Sequence, residues 1–175
     1  SELFVVEGDS LLYEFFYDSK KHFLDFNQPY GGGQFLSLTY LVETFLNKLK
    51  QRGCVFHLVF FHKHKVIWNF NPKFRIAREI IIDHLKSCQN ESKVPIYEFP
   101  AWWDSQFDQY IEDRQPLFIL SGDGTNGDNK EKSMKMSILS KGLFYYSLHK
   151  DLSMALIPGM EFRDSRAQAF VFDRG

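Results

Sequence analysis

The chain has 175 residues, 44% of them hydrophobic and 17% aromatic, with 21 basic against 22 acidic side chains. That length suits one domain, and a disordered chain would be poor in aromatics. A net charge of −1 argues against broad electrostatic capture of nucleic acid, which draws on Lys and Arg at phosphates, and no apolar run is long enough to span a bilayer, so no membrane partner is expected.

The first predicted element is a strand from Leu3 to Gly8, a short apolar run closed by Gly8-Asp9. Leu11 to Phe26 reads as a short helix or turn, followed by a loop through Pro29 and Gly31-Gly32-Gly33. No basic segment with a cleavage site marks a signal peptide. A helix follows from Gln34 to Gln51, with Phe35, Leu38, Val42, Phe45 and Leu49 at three- and four-residue steps. Arg52-Gly53 ends it as a cation and a glycine cap. The second strand is Val55 to Phe61, a run suited to burial on both faces. His62-Lys63-His64-Lys65 then reads as a basic loop. Asn71-Pro72 opens a helix to Cys88 with Phe74, Ile81, Leu85 and Cys88 on one side, and Gln89 to Lys93 reads as a polar loop.

A short third strand is expected from Pro95 to Phe99, then a helix from Trp102 to Glu112 with Trp103, Phe107 and Tyr110 on its core face. Leu117 to Ser121 is the fourth strand and Gly122 to Gly127 a glycine-rich loop. A helix from Asp128 to His149, disturbed at Gly142, leads to a fifth strand from Ser153 to Ile157. The tail from Asp164 to Phe172 reads as a final helix, with an edge strand as the alternative. This alternation predicts an α/β fold: three α/β/α layers on a central parallel five-stranded sheet in the order 3-2-1-4-5. Cys54 and Cys88 give neither a disulfide framework nor paired zinc spacing, which suits a reducing compartment and a cytoplasmic location.

In that order strands one and four lie side by side, and Gly8-Asp9 and Gly122-Asp123 meet at the switch point where open α/β sheets bind ligands. Asp128, at the start of the next helix, and Glu43, on the border of an apolar stripe, could join them. Such a cluster of carboxylates calls for a divalent cation, Mg²⁺ or Mn²⁺. Two such ions about 4 Å apart can hydrolyse a phosphodiester. Taken singly, an Asp after Gly at a strand end is more often a turn acid, and Asp128 is an ordinary N-cap.

Gly122 to Gly127 also spells G-x-G-x-x-G, but it follows the fourth strand and carries Asp123, so a dinucleotide reading is disfavoured. His62 and His64 could bind a transition metal or touch phosphate. His62, Lys63, Lys65, Lys130, Lys132 and Lys135 could form a basic rim for RNA, against the plainer reading of scattered surface charge. Trp103 reads as core, while Trp102 is left open as a stacking surface.

Several short runs together resemble a known family. Phe4 to Leu12, Tyr40 to Glu43 with Phe45-Leu46, Val59 to Phe61, and Phe118 to Asn126 are similar to the N-terminal region of the DEAD-box helicase 60 family, Ski2-like RNA helicases linked to antiviral defence. The resemblance implies a PIN-like fold over residues 1–175 as one domain, an N-terminal fragment of a larger ATP-dependent helicase. It implies that ATP binds only in a helicase core outside this chain. The PIN pattern implies Asp9, Glu43 and Asp123 as catalytic, metal-ligating positions for a metal-dependent ribonuclease, with Asp128 as a fourth metal ligand. Partners would be RNA, the helicase core or another protein. Many PIN-like domains are scaffolds, so a catalytically inactive module is the alternative.

Overall fold

The computed structural model of the chain describes residues 2–16, 32–69, 72–122 and 130–157. Its strands are β1 (Leu3–Glu7), β2 (Val55–Phe61), β3 (Ile96–Phe99), β4 (Phe118–Gly122) and β5 (Ser153–Ile157). Its helices are α1 (Gly8–Phe16), α2 (Gly32–Gln51), α3 (Pro72–Ser92), α4 (Ser105–Arg114) and α5 (Lys130–His149), with a 3-10 segment at His62–Trp68. The sheet is parallel, in the order β3-β2-β1-β4-β5, as the alternation of elements predicts.

Side chains alternate across the central strands because the period of a strand is two. Phe4 and Val6 of β1, with Phe56, Leu58 and Phe60 of β2, pack into one core beneath α1, α2 and α3. Val5, Val59 and Phe61 face a second core filled by Phe107, Tyr110 and Ile111 of α4 and Leu143 and Tyr146 of α5. Both faces of β1 are covered, so the strand reads as a continuous apolar run.

The boundaries follow from local chemistry. Helix α2 ends in a Schellman motif: Gly53, at φ +79°, donates its N–H to the Lys50 carbonyl (2.8 Å), and Cys54 donates to Leu49 (3.2 Å). Helix α3 continues to Ser92, through residues expected to form a loop. Lys50 reaches across from α2 and donates to the Ser92 carbonyl, satisfying the exposed end of α3, and Lys93 leaves the helix in the left-handed conformation at φ 59°. Helix α4 starts at Ser105, later than predicted, because the Asp104 carboxylate accepts the Gln106 N–H at 2.9 Å.

Two more expectations are corrected. Trp103 is 56% exposed, and it is Trp102 that packs against the second core. Helix α5 runs unbroken through Gly142. A β-carbon there would lie 2.9 Å from the Trp102 ring, so the glycine admits the indole rather than disturbing the helix. The predicted tail helix at 164–172 lies outside the described residues.

Candidate functional site

Helix α1 leaves β1 without a loop, so Asp9 sits in the first helical turn rather than at the strand end. Glu7, the last residue of β1, caps that turn. Its carboxylate accepts the backbone N–H of Asp9 at 3.0 Å and of Ser10 at 2.7 Å. A negative charge at the positive end of a helix is favourable, and both N–H groups would otherwise lack partners. Ser10 Oγ donates to the Glu7 carbonyl (3.0 Å) and accepts the Gly122 N–H (2.9 Å), tying α1 to the end of β4. At Gly8 a β-carbon would meet the Phe60 ring at 2.3 Å, so only glycine lets the chain turn this close to β2.

Asp9 is fully buried, and its charge is answered from α3. Arg78 Nε donates to Asp9 Oδ1 at 2.7 Å and Nη2 donates to Oδ2 at 3.1 Å, a bidentate pair. Trp68 Nε1 donates to Oδ1 at 2.8 Å. Arg78 also donates to the Phe61 carbonyl (3.2 Å) and lies over the Phe60 ring at 5.6 Å. Burial works against the charge on Arg78, but the Asp9 carboxylate together with Glu79 and Glu7 outweighs it and holds the guanidinium above its ordinary pKa. His64, from the 3-10 segment, completes the group. Its Nδ1 lies 3.3 Å from Glu7 Oε1 and 3.9 Å from Asp9 Oδ2. Burial disfavours its charged form, but the bond and charge of Glu7 and the charge of Asp9 prevail and raise its pKa. Two acids therefore face a guanidinium and an imidazole held toward its charged form.

Glu7, Asp9 and His64 each offer one ligand atom within 4.8 Å of the others, so by type and spacing they could hold a metal ion. Their present bonding does not fit Mg²⁺, which keeps near-octahedral geometry and several of its waters. Both Asp9 oxygens already accept from Arg78 and Trp68, both Glu7 oxygens accept backbone N–H groups, and all three residues are at most 1% exposed. Among the described residues, Arg78 answers the charge of Asp9 and the imidazole of His64 lies beside Glu7.

The other expected site residues take separate places. Glu43 Oε1 bonds His84 Nε2 at 2.7 Å, with Cys88 alongside, so its partners are those of the α2–α3 contact and not Asp9. Asp123 and Asp128 lie outside the described residues. His62 and Lys63 are exposed, and Lys65 pairs with Glu79 at 3.4 Å. Lys130, Lys132 and Lys135 belong to the opening turns of α5.

Sequence patterning does not single out Glu7, Trp68 or Arg78 as site residues, and it groups His64 with His62. One signal was available. Phe74, Ala77, Arg78, Ile81, Ile82 and Leu85 form the buried stripe of α3, and a charge inside such a stripe demands a buried partner. Glu7 gave no comparable signal, since Ser, Thr, Asp and Asn are the usual N-caps.

A family model described as the PIN-like domain of the ATP-dependent RNA helicase DDX60 matches residues 1–173. No curated protein matches the chain. Among solved structures, a deacetylase triple mutant (Orf2*T) involved in the teicoplanin biosynthetic pathway aligns at 9% identity and a TM-score of 0.45. That alignment covers 93% of this chain and spans 65% of the other protein's length, and at this similarity it carries no argument about fold or function.

Proposed function

The chain belongs to the PIN-like domain family of the ATP-dependent RNA helicase DDX60, and from that premise we propose that it is a non-catalytic PIN-like module whose acidic sheet edge has become a structural ion-pair centre. The observation that carries this reading is the buried bidentate pair of Arg78 and Asp9, closed by the Trp68 indole. A hydrolytic metal site needs carboxylate oxygens with free lone pairs and room for water. Here three N–H donors, two from Arg78 and one from Trp68, already bind the Asp9 oxygens, and the side chain is fully buried.

In this reading the module docks on a helicase core or a partner protein. Exposed apolar residues support that role: Leu36 and Tyr40 stand one helical turn apart on α2, and Ile76 and Ile80 one turn apart on α3. The parent protein would be an ATP-dependent RNA helicase of RNA processing or antiviral defence. Its ATP site would lie outside these residues, and RNA would reach this domain through the helicase rather than through a basic face of its own. Cytoplasmic residence belongs to the same reading, since Cys54 and Cys88 are free thiols. Among the described residues no helix is long and apolar enough to cross a membrane.

The second reading is a metal-dependent ribonuclease, favoured by the spacing of Glu7, Asp9 and His64. In that case Mg²⁺ or Mn²⁺ would supply an activated water at the sheet edge, with Asp123 as a further ligand. Incubation with single-stranded RNA and Mn²⁺ separates the two. We expect no Mn²⁺-dependent cleavage and no salt-sensitive RNA binding. Cleavage that Asp123→Asn abolishes, while the variant keeps wild-type stability, would overturn the non-catalytic reading.

A further inference from the structure

The cluster of Glu43, His84 and Cys88 plays no part in the ion-pair centre. Glu43 comes from α2, while His84 and Cys88 stand four residues apart on α3, so helical pitch puts the last two on one face. The three ligand atoms lie within 4.8 Å of one another, and all three residues are partly exposed. Glu43 and Cys88 also line a cavity of about 260 Å³ together with Asn47, Glu91 and Ser92.

Cysteine, histidine and glutamate together can also make a nucleophilic triad, and the geometry excludes it. In a triad the base meets its nucleophile through one ring nitrogen and its orienting acid through the other. Here a single nitrogen serves both neighbours: His84 Nε2 lies 2.7 Å from Glu43 Oε1 and 3.8 Å from Cys88 Sγ. Imidazole nitrogen, thiol sulfur and carboxylate oxygen all converge on one point between them. Their mutual spacing is one that a single ion could bridge.

We propose that Glu43, His84 and Cys88 form a binding site for a divalent transition-metal ion of the zinc class, clamping α2 to α3, with a fourth coordination position open to the neighbouring cavity. The mixed N, S, O donor set suits a borderline-soft cation and is wrong for Mg²⁺ or Ca²⁺. In a tetrahedral zinc site with bonds of about 2.0–2.3 Å, ligand atoms stand roughly 3.3–3.7 Å apart. The sulfur–nitrogen distance of 3.8 Å is already close to that. The Glu43 carboxylate, bonded to Nε2 at 2.7 Å, has to draw back to make room for an ion, and its side chain is 38% exposed. Water entering the cavity would supply the fourth ligand, and Glu91 also lines that cavity. Binding would deprotonate the Cys88 thiol and release its proton to solvent.

The test uses Co²⁺ as a spectroscopic probe on the reduced 175-residue chain, followed by competition with Zn²⁺. The expected result is a thiolate-to-cobalt charge-transfer band with the visible bands of tetrahedral cobalt, displaced by Zn²⁺ at one equivalent. Cys88→Ser should abolish the charge-transfer band. His84→Ala should weaken Zn²⁺ binding on the order of 100-fold or more, since even changes beyond the first ligands typically cost 10- to 100-fold. Cys54→Ser should leave both unchanged. Loss of the band in Cys54→Ser, or its persistence in Cys88→Ser, would overturn the proposal, as would the absence of any thiolate band in the wild type. An unchanged far-ultraviolet circular dichroism spectrum confirms that each variant is folded. Neither result bears on RNA cleavage, so this proposal and the non-catalytic reading fail separately.

Discussion

Arg78 and Asp9 show what one misplaced charge would do. Both are at most 1% exposed, so neither can fall back on water if its partner is removed. Attraction within such a pair roughly offsets the desolvation of the two charges, but breaking it from one side leaves a naked buried ion. Arg78→Met is therefore expected to destabilise the chain by about 3–5 kcal/mol. Adding Asp9→Asn should recover a large part of that loss, because an amide needs no counter-ion and can still accept from Trp68. Urea unfolding of the two single variants and the double gives the coupling energy. Additive losses would mean that the pair does not act as a unit.

At the scale of elements, the joints are held by single side chains placed at helix ends. Asp104 is the plainest case: it has extended backbone (φ −80°, ψ 145°) and its side chain accepts the Gln106 N–H. Asp104→Ala should reduce stability by about 1 kcal/mol, within the usual range for an N-cap, and amide exchange should speed up first in the opening turn of α4. Glu7 is the harder joint to replace. It caps α1, contacts His64 and ends the central strand, so β1, α1 and the 3-10 segment all meet at one carboxylate.

The pH dependence belongs to the whole molecule, since unfolding releases every group at once. His64 has a raised pKa in the folded chain, so in the window above its ordinary value of 6.5 the folded form binds more protons than the unfolded one. Its contribution is therefore fully present below pH 6.5 and is lost as the pH rises through the folded value. His57, lowered by burial and by the charge of Arg114, works in the opposite direction: its contribution is present above pH 6.5 and is lost as the pH falls. Comparing wild type with His64→Gln isolates the first effect. The difference in unfolding free energy between them should shrink as the pH rises from 6 toward 9. A difference that stays flat with pH would show that the imidazole does not gain charge on folding.

The sequence by itself determined the order of the sheet. Apolar runs of strand length alternating with helical periodicity point to a parallel sheet with right-handed crossovers, and with strand one central the arrangement is β3-β2-β1-β4-β5. It also marked the cap at Gly53 and the start of α3 at Pro72, because these are local steric demands. Only the tertiary structure decided which charges meet. Asp9 and Glu43 were both legible as acids of interest, yet one is held by an arginine 69 positions away and the other by a histidine 41 positions away. A helix period of 3.6 says that Arg78 and His84 fall on different sides of α3, but not what lies across from either. That depends on how α2 and α3 lie on the sheet. Such packing is settled by the fit of many weak contacts at once, and no single residue announces it.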